Sequence, residues 1–290
     1  MSNVEISKSR VIRGYISLLL ATLFWGSTFP IIKIVVCNIG SFSYTWIRSM
    51  IAITCLLPYV VYRVFKKSVE KFRREIFGGL VTGIAYALGL WLQGWGTGLT
   101  TASNSAFITE LNVVFVHIYV ALIERRYSIF LGIELLLAIL GLYLLTLPTG
   151  GFNLGDFLVL LGAVAWAAQV ILVSKFSDVD PLCFTFFEMI PASLFIISTL
   201  FNRYTINLTV DTILGLTYLG TVCTVGAFSL QVYGQRFVYP EVAALIYLLE
   251  PAFAAIFAWL MLGEIMKPLQ ILGAILILIS MIIAIRTQKY

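Results

Sequence analysis

The chain has 290 residues, of which 60% are hydrophobic and only 11% charged, with a mean hydropathy of +1.00. A water-soluble domain carries roughly twice that share of charge, so the composition excludes an ordinary soluble protein and indicates an integral membrane one. The net charge of +5 does not point to nucleic acid, because the basic residues fall in short stretches between apolar spans, where they set orientation in a bilayer.

From the N-terminus, Lys8, Arg10 and Arg13 precede an apolar run that reaches Val36. That run is well beyond the roughly 7–15 residues of a signal-peptide core and lacks a small-residue cleavage site, so it is read as the first span. A crossing needs about 20 largely apolar residues, which predicts ten helices over about 14–37, 42–63, 76–97, 101–123, 128–147, 155–174, 182–201, 212–233, 239–261 and 268–286. The expected fold class is therefore an all-α membrane protein of ten transmembrane helices. Gly79 and Gly83 in the third span form a GxxxG that lets helices approach closely. Trp91, Trp95 and Tyr239 lie near span ends, where aromatic belts form. Cys37, Cys55, Cys183 and Cys223 stand singly without metal or redox spacing, and His117 is the single histidine, so no metal site is expected.

Placing the N-terminus in the cytoplasm puts Arg63, Lys66, Lys67, Lys71, Arg73, Arg74, Arg125, Arg126, Lys175, Arg236, Arg286 and Lys289 on that side. Only Arg203 and Lys267 then lie outside. The expectation is a multi-pass plasma-membrane protein with both termini cytoplasmic.

Residues 100–116 carry Asn104, Thr109, Glu110 and Asn112 inside a run apolar enough to cross the bilayer, so these groups need a protein or water partner at depth. Residues 240–257 repeat the plan about 140 residues later, with Glu250 beside Pro251 and Glu264 answering Glu124. Trp25 has a counterpart in Trp166, and Gln93 in Gln231, while Gly26-Ser27-Thr28 becomes Ala167-Ala168-Gln169. Five spans per unit is odd, so the two units, 1–149 and 150–290, are expected to insert in opposite senses around a shared cavity. The turn-rich stretch 148–155 is read as the hinge between them.

Several side chains are candidates for that cavity. Asn104, Phe107, Ile108 and Leu111 recur at i, i+3, i+4 and i+7 and share one helix face. Trp25, Tyr86, Trp166 and Tyr247 lie inside spans, away from the belts, where aromatic walls suit an amphipathic ligand or hold an ammonium over a ring. Ser27 and Gln231 complete the cavity set. Among charged groups, Glu110 and Glu250 sit near mid-membrane and are candidates for carrying a proton. His117 lies about 10 Å beyond Glu110 on a continuous helix, so a relay between them needs an intermediary, the alternative being a structural histidine. Glu188, ahead of Pro191, is a candidate acid or charge partner. Lys33 and Arg48 either snorkel outward or enter an ion pair or bind a carboxylate, and together they would form a clamp for an anionic group.

Trp25-Gly26-Ser27-Thr28-Phe29 followed by Lys33, Arg48 in the second span, Thr101-Ala102-Ser103-Asn104-Ser105-Ala106-Phe107-Ile108 in the fourth, and Leu249-Glu250-Pro251 with Gly263-Glu264 in the ninth resemble the drug/metabolite transporter superfamily, in its ten-helix EamA branch. The resemblance covers nearly the whole chain. It implies a basket of helices around a central cavity, with the fifth and tenth spans peripheral. It also implies a permease for small metabolites such as amino acids or amines, often working in efflux. The expected function is a secondary transporter operating by alternating access, an exporter coupled to protons, with a small-molecule substrate and the lipid bilayer as partners. No Walker A loop is present, so neither ATP drive nor a cofactor is expected. The alternatives are a membrane-embedded prenyl or phosphoryl transferase, for which no carboxylate cluster or nucleophile with a base stands out, and a channel.

Overall fold

A computed structural model describes residues 8–65, 69–126, 128–146, 151–200, 206–254, 256 and 267–287. Regular structure among these residues is helical throughout: α1 Lys8–Gly26, α2 Thr28–Val64, α3 Val69–Leu99, α4 Ala102–Glu110, α5 Asn112–Leu122, α6 Ile129–Thr146, α7 Leu154–Phe176, α8 Pro181–Ser193, α9 Val210–Gly220, α10 Ala227–Gln235, α11 Pro240–Tyr247 and α12 Pro268–Thr287. A 3-10 segment, Leu194–Leu200, prolongs α8, and a π-helical turn, Thr221–Gly226, joins α9 to α10. Eight stretches among the described residues are long and apolar enough to cross a membrane: Thr28–Val64, Glu70–Leu99, Asn104–Leu122, Ile129–Thr146, Leu154–Phe176, Pro181–Leu200, Val210–Gln235 and Pro268–Thr287.

Seven of the ten predicted spans correspond one to one to these stretches, the second falls inside Thr28–Val64, and the first and ninth are not among them. The first is interrupted at Ser27, between α1 and α2. The connection expected over 38–41 is present but short: within the 37 residues of α2 the helix breaks at Gly40, whose φ of 74° and ψ of 161° belong to glycine. The fourth span is split at Leu111. The ninth is helical to Tyr247, turns through Leu248 and Leu249, and resumes over 250–254; the rest of it, with Gly263 and Glu264, lies outside the described residues. The hinge expected over 148–155 is shorter than predicted at its far end. Asn153 caps α7 by accepting from the Asp156 amide at 3.1 Å while Asp156 accepts from the Asn153 amide at 3.0 Å, so Leu154 and Gly155 are already helical.

Glycine sets the closest helix crossings. On α3, Gly83 lies against the backbone of α8, where a Cβ would fall 2.4 Å from the Glu188 carbonyl oxygen. Its GxxxG partner Gly79 meets Phe184 and Phe187 of the same helix, so the motif packs the chain on itself. Two apolar clusters form the interior. One gathers residues of α1, α5, α6, α7, α11 and α12, the other residues of α2, α3, α8, α9 and α10. Trp25 packs against both, at their seam. Many large apolar side chains face outward, as at Leu122, Ile129 and Leu136, which suits a lipid surface.

Candidate functional site

A cavity of about 60 Å³ lies at that seam, bounded by Trp25 of α1, Arg48 of α2, Gln93 of α3, Glu110 of α4, Gln169 of α7, Gln231 of α10 and the Tyr247–Glu250 turn. At roughly 10–15 Å³ per water position it has room for several waters or one small polar group, far less than the roughly 300–1,000 Å³ of a pocket enclosing a drug-sized ligand.

Its acidic end is built by two broken helices. Glu110 ends α4, and the Leu111 amide donates to the Ile108 carbonyl at 3.2 Å, a tightened turn that stops the α-helical ladder. Asn112 donates its side-chain amide to the Thr109 carbonyl at 3.0 Å, while its own Oδ1 is buried without a partner among the described residues. In the second half the Leu249 amide likewise donates to the Ile246 carbonyl at 3.1 Å, immediately before Glu250. The two halves therefore break beside their glutamates by the same turn, although one has Asn112 and the other Pro251. The breaks bring the Glu110 and Glu250 side chains, both on the cavity wall, close enough for their carboxyl groups to interact, while Glu110 Oε2 is buried without a hydrogen-bond partner among the described residues. Gly26 allows this end to close, since a Cβ there would stand 2.8 Å from the Glu250 carbonyl oxygen.

An amide ladder forms one wall. Gln169 and Gln231 exchange two hydrogen bonds of 3.0 Å, and Gln169 also donates to Glu188 Oε1 at 2.7 Å. Glu188 is wholly buried behind this wall and does not line the cavity. Opposite, Gln93 donates to Thr109 Oγ1 at 3.2 Å. The aromatic wall holds Trp25, whose ring lies 4.9 Å from Phe228 and 5.3 Å from Tyr247, and whose indole N–H donates to the Cys223 carbonyl at 3.0 Å. That carbonyl comes from the π-helical turn, a feature common at functional sites. Trp166 stacks at 6.0 Å from Phe228, with its indole N–H buried and without a partner among the described residues.

The basic end is Arg48, 3% exposed. Its Nε donates to Thr224 Oγ1 at 2.8 Å and its Nη1 to Tyr44 Oη at 2.6 Å. The reading of Arg48 as a snorkelling residue is thus corrected, as is the clamp with Lys33. Lys33 donates instead to the Thr100 carbonyl at 2.5 Å, in a separate outer pocket. Arg48 points inward because α2 turns at Gly40, between the two cations.

Of the residues expected in the cavity, Trp25, Trp166, Gln231 and Tyr247 line it; Ser27, Tyr86, Asn104, Phe107, Ile108 and Leu111 do not. Ser27 meets the Tyr218 hydroxyl at 2.8 Å, and Tyr86 lies behind Trp166 and Phe228. Asn104 faces the outer pocket with Lys33, and Phe107 packs on Tyr143. The four share a helix side, as periodicity requires, but the side facing inward is that of Thr109, Glu110 and Asn112. His117 lies on α5, beyond the break, with Nδ1 2.8 Å from the Val113 carbonyl and outside the cavity. The break at Leu111 interrupts the helix between Glu110 and His117. Thr28, Gln169 and Phe228, not singled out from the sequence, do line it; the polar position of Gln169 in the middle of an apolar span was the signal available.

Two vestibules flank the cavity. One, of about 500 Å³, holds Arg126, Lys175 and Arg236 with Glu124. Burial works against the charge of Arg126 there, but the hydrogen bond and charges of Glu124 and Glu241 outweigh it and raise its pKa. The other, of about 480 Å³, is the outer pocket of Lys33, Thr100 and Asn104.

The sequence profile of the EamA-like transporter family matches residues 12–147 and again 153–286. An uncharacterized transporter of Archaeoglobus fulgidus is 34% identical over 275 residues, 92% of this chain and 84% of that protein. A second, from Clostridium kluyveri, is 23% identical over 295 residues, 96% of this chain and 94% of its own length. Among solved structures, one crystal structure superposes with a TM-score of 0.72 over 97% of this chain and 99% of that one, at 16% identity, which speaks to fold.

Proposed function

The chain belongs to the EamA-like transporter family, and from that premise we propose that this multi-pass membrane protein is a secondary transporter exporting small metabolites, amino acids, amines or related amphipathic solutes, by alternating access. The observation that carries this is the cavity itself: it holds carboxyl groups, a guanidinium and aromatic faces together, and shares helices with two larger pockets.

The ten-span, inverted arrangement belongs to the same proposal. Its support is the double family match, the paired breaks beside Glu110 and Glu250, and the presence of Trp25 with Trp166 and Gln93 with Gln231 around one cavity. A helix of 37 residues is about 55 Å long if straight, nearly twice the bilayer core, so the break at Gly40 makes two crossings of it. The vestibule of Arg126, Lys175 and Arg236 is the cytoplasmic one, in the plasma membrane, by the basic-residue bias. Coupling is assigned to the Glu110–Glu250 contact. Ionised carboxylates only accept hydrogen bonds and repel one another, so two buried carboxyl groups this close are a place for a proton that the pair can hold or release.

Reconstitution into vesicles tests the proposal. Counterflow of at least one solute from a panel of amino acids, amines and nucleobases is expected, accelerated by an imposed pH gradient; the absence of counterflow across the panel overturns it.

A further inference from the structure

We propose that Arg48 is a carboxylate-binding subsite, so that the solute held in the central cavity carries an anionic carboxyl group. This rests on the reading of that cavity as the solute site and narrows it.

Arg48 is the one buried Lys or Arg among the described residues. Other arginines meet acids: Arg63 lies 3.0 Å from Asp180, Arg74 3.0 Å from Asp178, and Arg126 3.1 Å from Glu241. Among the described residues no carboxylate lies within ion-pair distance of Arg48. The groups that interact with its charge, Tyr44, Tyr86 and Cys223, are hydroxyls and a thiol. A guanidinium held at membrane depth without a counter-charge is expensive and marks a place where a charge is brought in.

The site is also built. Thr224, which accepts from Arg48 Nε, is itself fixed by a 2.7 Å bond to the Leu219 carbonyl across the π-helical turn, and Tyr44 is fully buried. Of the five N–H donors a guanidinium offers, these bonds use two, and Arg48 still borders the cavity. The hydroxyls fix the plane of the group without neutralising it. A planar carboxylate matches the remaining fork and supplies one negative charge. A doubly charged phosphate suits it less, because the other ionisable groups on the cavity are Glu110, Glu250 and Tyr247, none of them basic.

Purified full-length protein in detergent, free of carboxylate buffers, is titrated with acetate, with acetamide as its neutral near-isostere, and with chloride at the same ionic strength, while the thermal midpoint is followed. Binding to the folded state raises the midpoint with ligand concentration. Acetate is expected to raise it, acetamide and chloride not. Arg48→Lys keeps the charge but loses the fork, and its apparent affinity for acetate is expected to fall about tenfold or more, whereas Arg74→Lys, at a half-exposed arginine paired with Asp178 away from the cavity, keeps it. Equal effects of acetate and acetamide, a chloride effect as large as that of acetate, or unchanged acetate affinity in Arg48→Lys overturns the subsite. Should Arg48→Lys fail to fold, the three wild-type titrations decide alone. Counterflow of amines lacking a carboxyl group, with no response to acetate, removes the subsite and leaves transport standing. A carboxylate response without any counterflow removes transport and leaves the subsite.

Discussion

A carboxyl group at membrane depth needs a neighbour for its polar atoms, and Glu110 and Glu250 interact with each other while Glu110 Oε2 stays buried without a hydrogen-bond partner among the described residues. Glutamine is nearly isosteric with protonated glutamate and can donate to the remaining carboxylate, so Glu110→Gln and Glu250→Gln are expected to fold with stability within about 1 kcal/mol of the parent. Neither side chain can release a proton once amidated. Acceleration of transport by a pH gradient is therefore expected to fall at least about tenfold in each variant, while solute exchange without a gradient persists. Vesicle assays at matched protein content check this; wild-type response to the gradient in both variants removes the pair from coupling. Trp25 acts differently, through position: its indole N–H holds the Cys223 carbonyl of the π-helical turn at 3.0 Å. Trp25→Phe keeps a ring but drops that bond, and a loss of about 0.5–1.5 kcal/mol in unfolding free energy is expected.

At the scale of the helix, the α3–α8 contact depends on what glycine lacks. A methyl at Gly83 would meet the Glu188 carbonyl oxygen at 2.4 Å and the Pro191 ring at 2.8 Å, and backbone cannot move aside as a side chain can. Gly83→Ala is expected to destabilise the protein by about 1–3 kcal/mol. Gly151→Ala, with nothing within 4 Å of the added atom, is expected to change nothing measurable in the same thermal unfolding assay. Span lengths were legible because they follow from apolar run length alone, and the turn at Gly40 was legible as a polar, glycine-bearing gap. The interruption at Leu111 was not, because glutamate and leucine favour helix; that at Leu248 and Leu249 was, because Pro251 has no amide to donate one turn back to the Tyr247 carbonyl. The cavity was legible in part. Aromatic and amide side chains in mid-span, Trp25, Trp166, Gln231 and Tyr247, stand out against an apolar background, and they line it. The Asn104–Leu111 face does not, because a period of 3.6 fixes which residues share a side and says nothing about which side faces inward. Lys33 and Arg48 look like neighbours only until the turn between them sends one to an outer pocket and the other to the centre.

Across the whole molecule the cavity is separated unequally from its two vestibules. Toward the Lys33 side, behind the Gln93–Thr109 wall, two hydrogen-bonded layers intervene: Thr97 with Ser105 at 2.6 Å and Thr100 with Asp156 at 2.6 Å. Toward the Arg126 side, behind the Gln169–Gln231 wall, stands one layer, in which the Tyr247 hydroxyl donates to Gln235 at 3.3 Å and Gln235 donates to the Val170 carbonyl and Ser174, each at 2.8 Å. Gln235 already faces that vestibule, so the Tyr247 bond is the link whose rupture joins it to the cavity. A single bond of this kind contributes about 0.5–1.5 kcal/mol, and removing it multiplies the open population by about two to ten. Tyr247→Phe is therefore expected to raise the reactivity of a cysteine placed at Thr28, on the cavity wall, toward a small membrane-impermeant thiol reagent by that factor, in a background from which Cys37, Cys55, Cys183 and Cys223 have been removed. The increase is expected only when the reagent is added on the side of Arg126 and Arg236. An equal increase from the Lys33 side would mean that Tyr247 stabilises the closed cavity as a whole, and the thin layer would then not be the one that opens first.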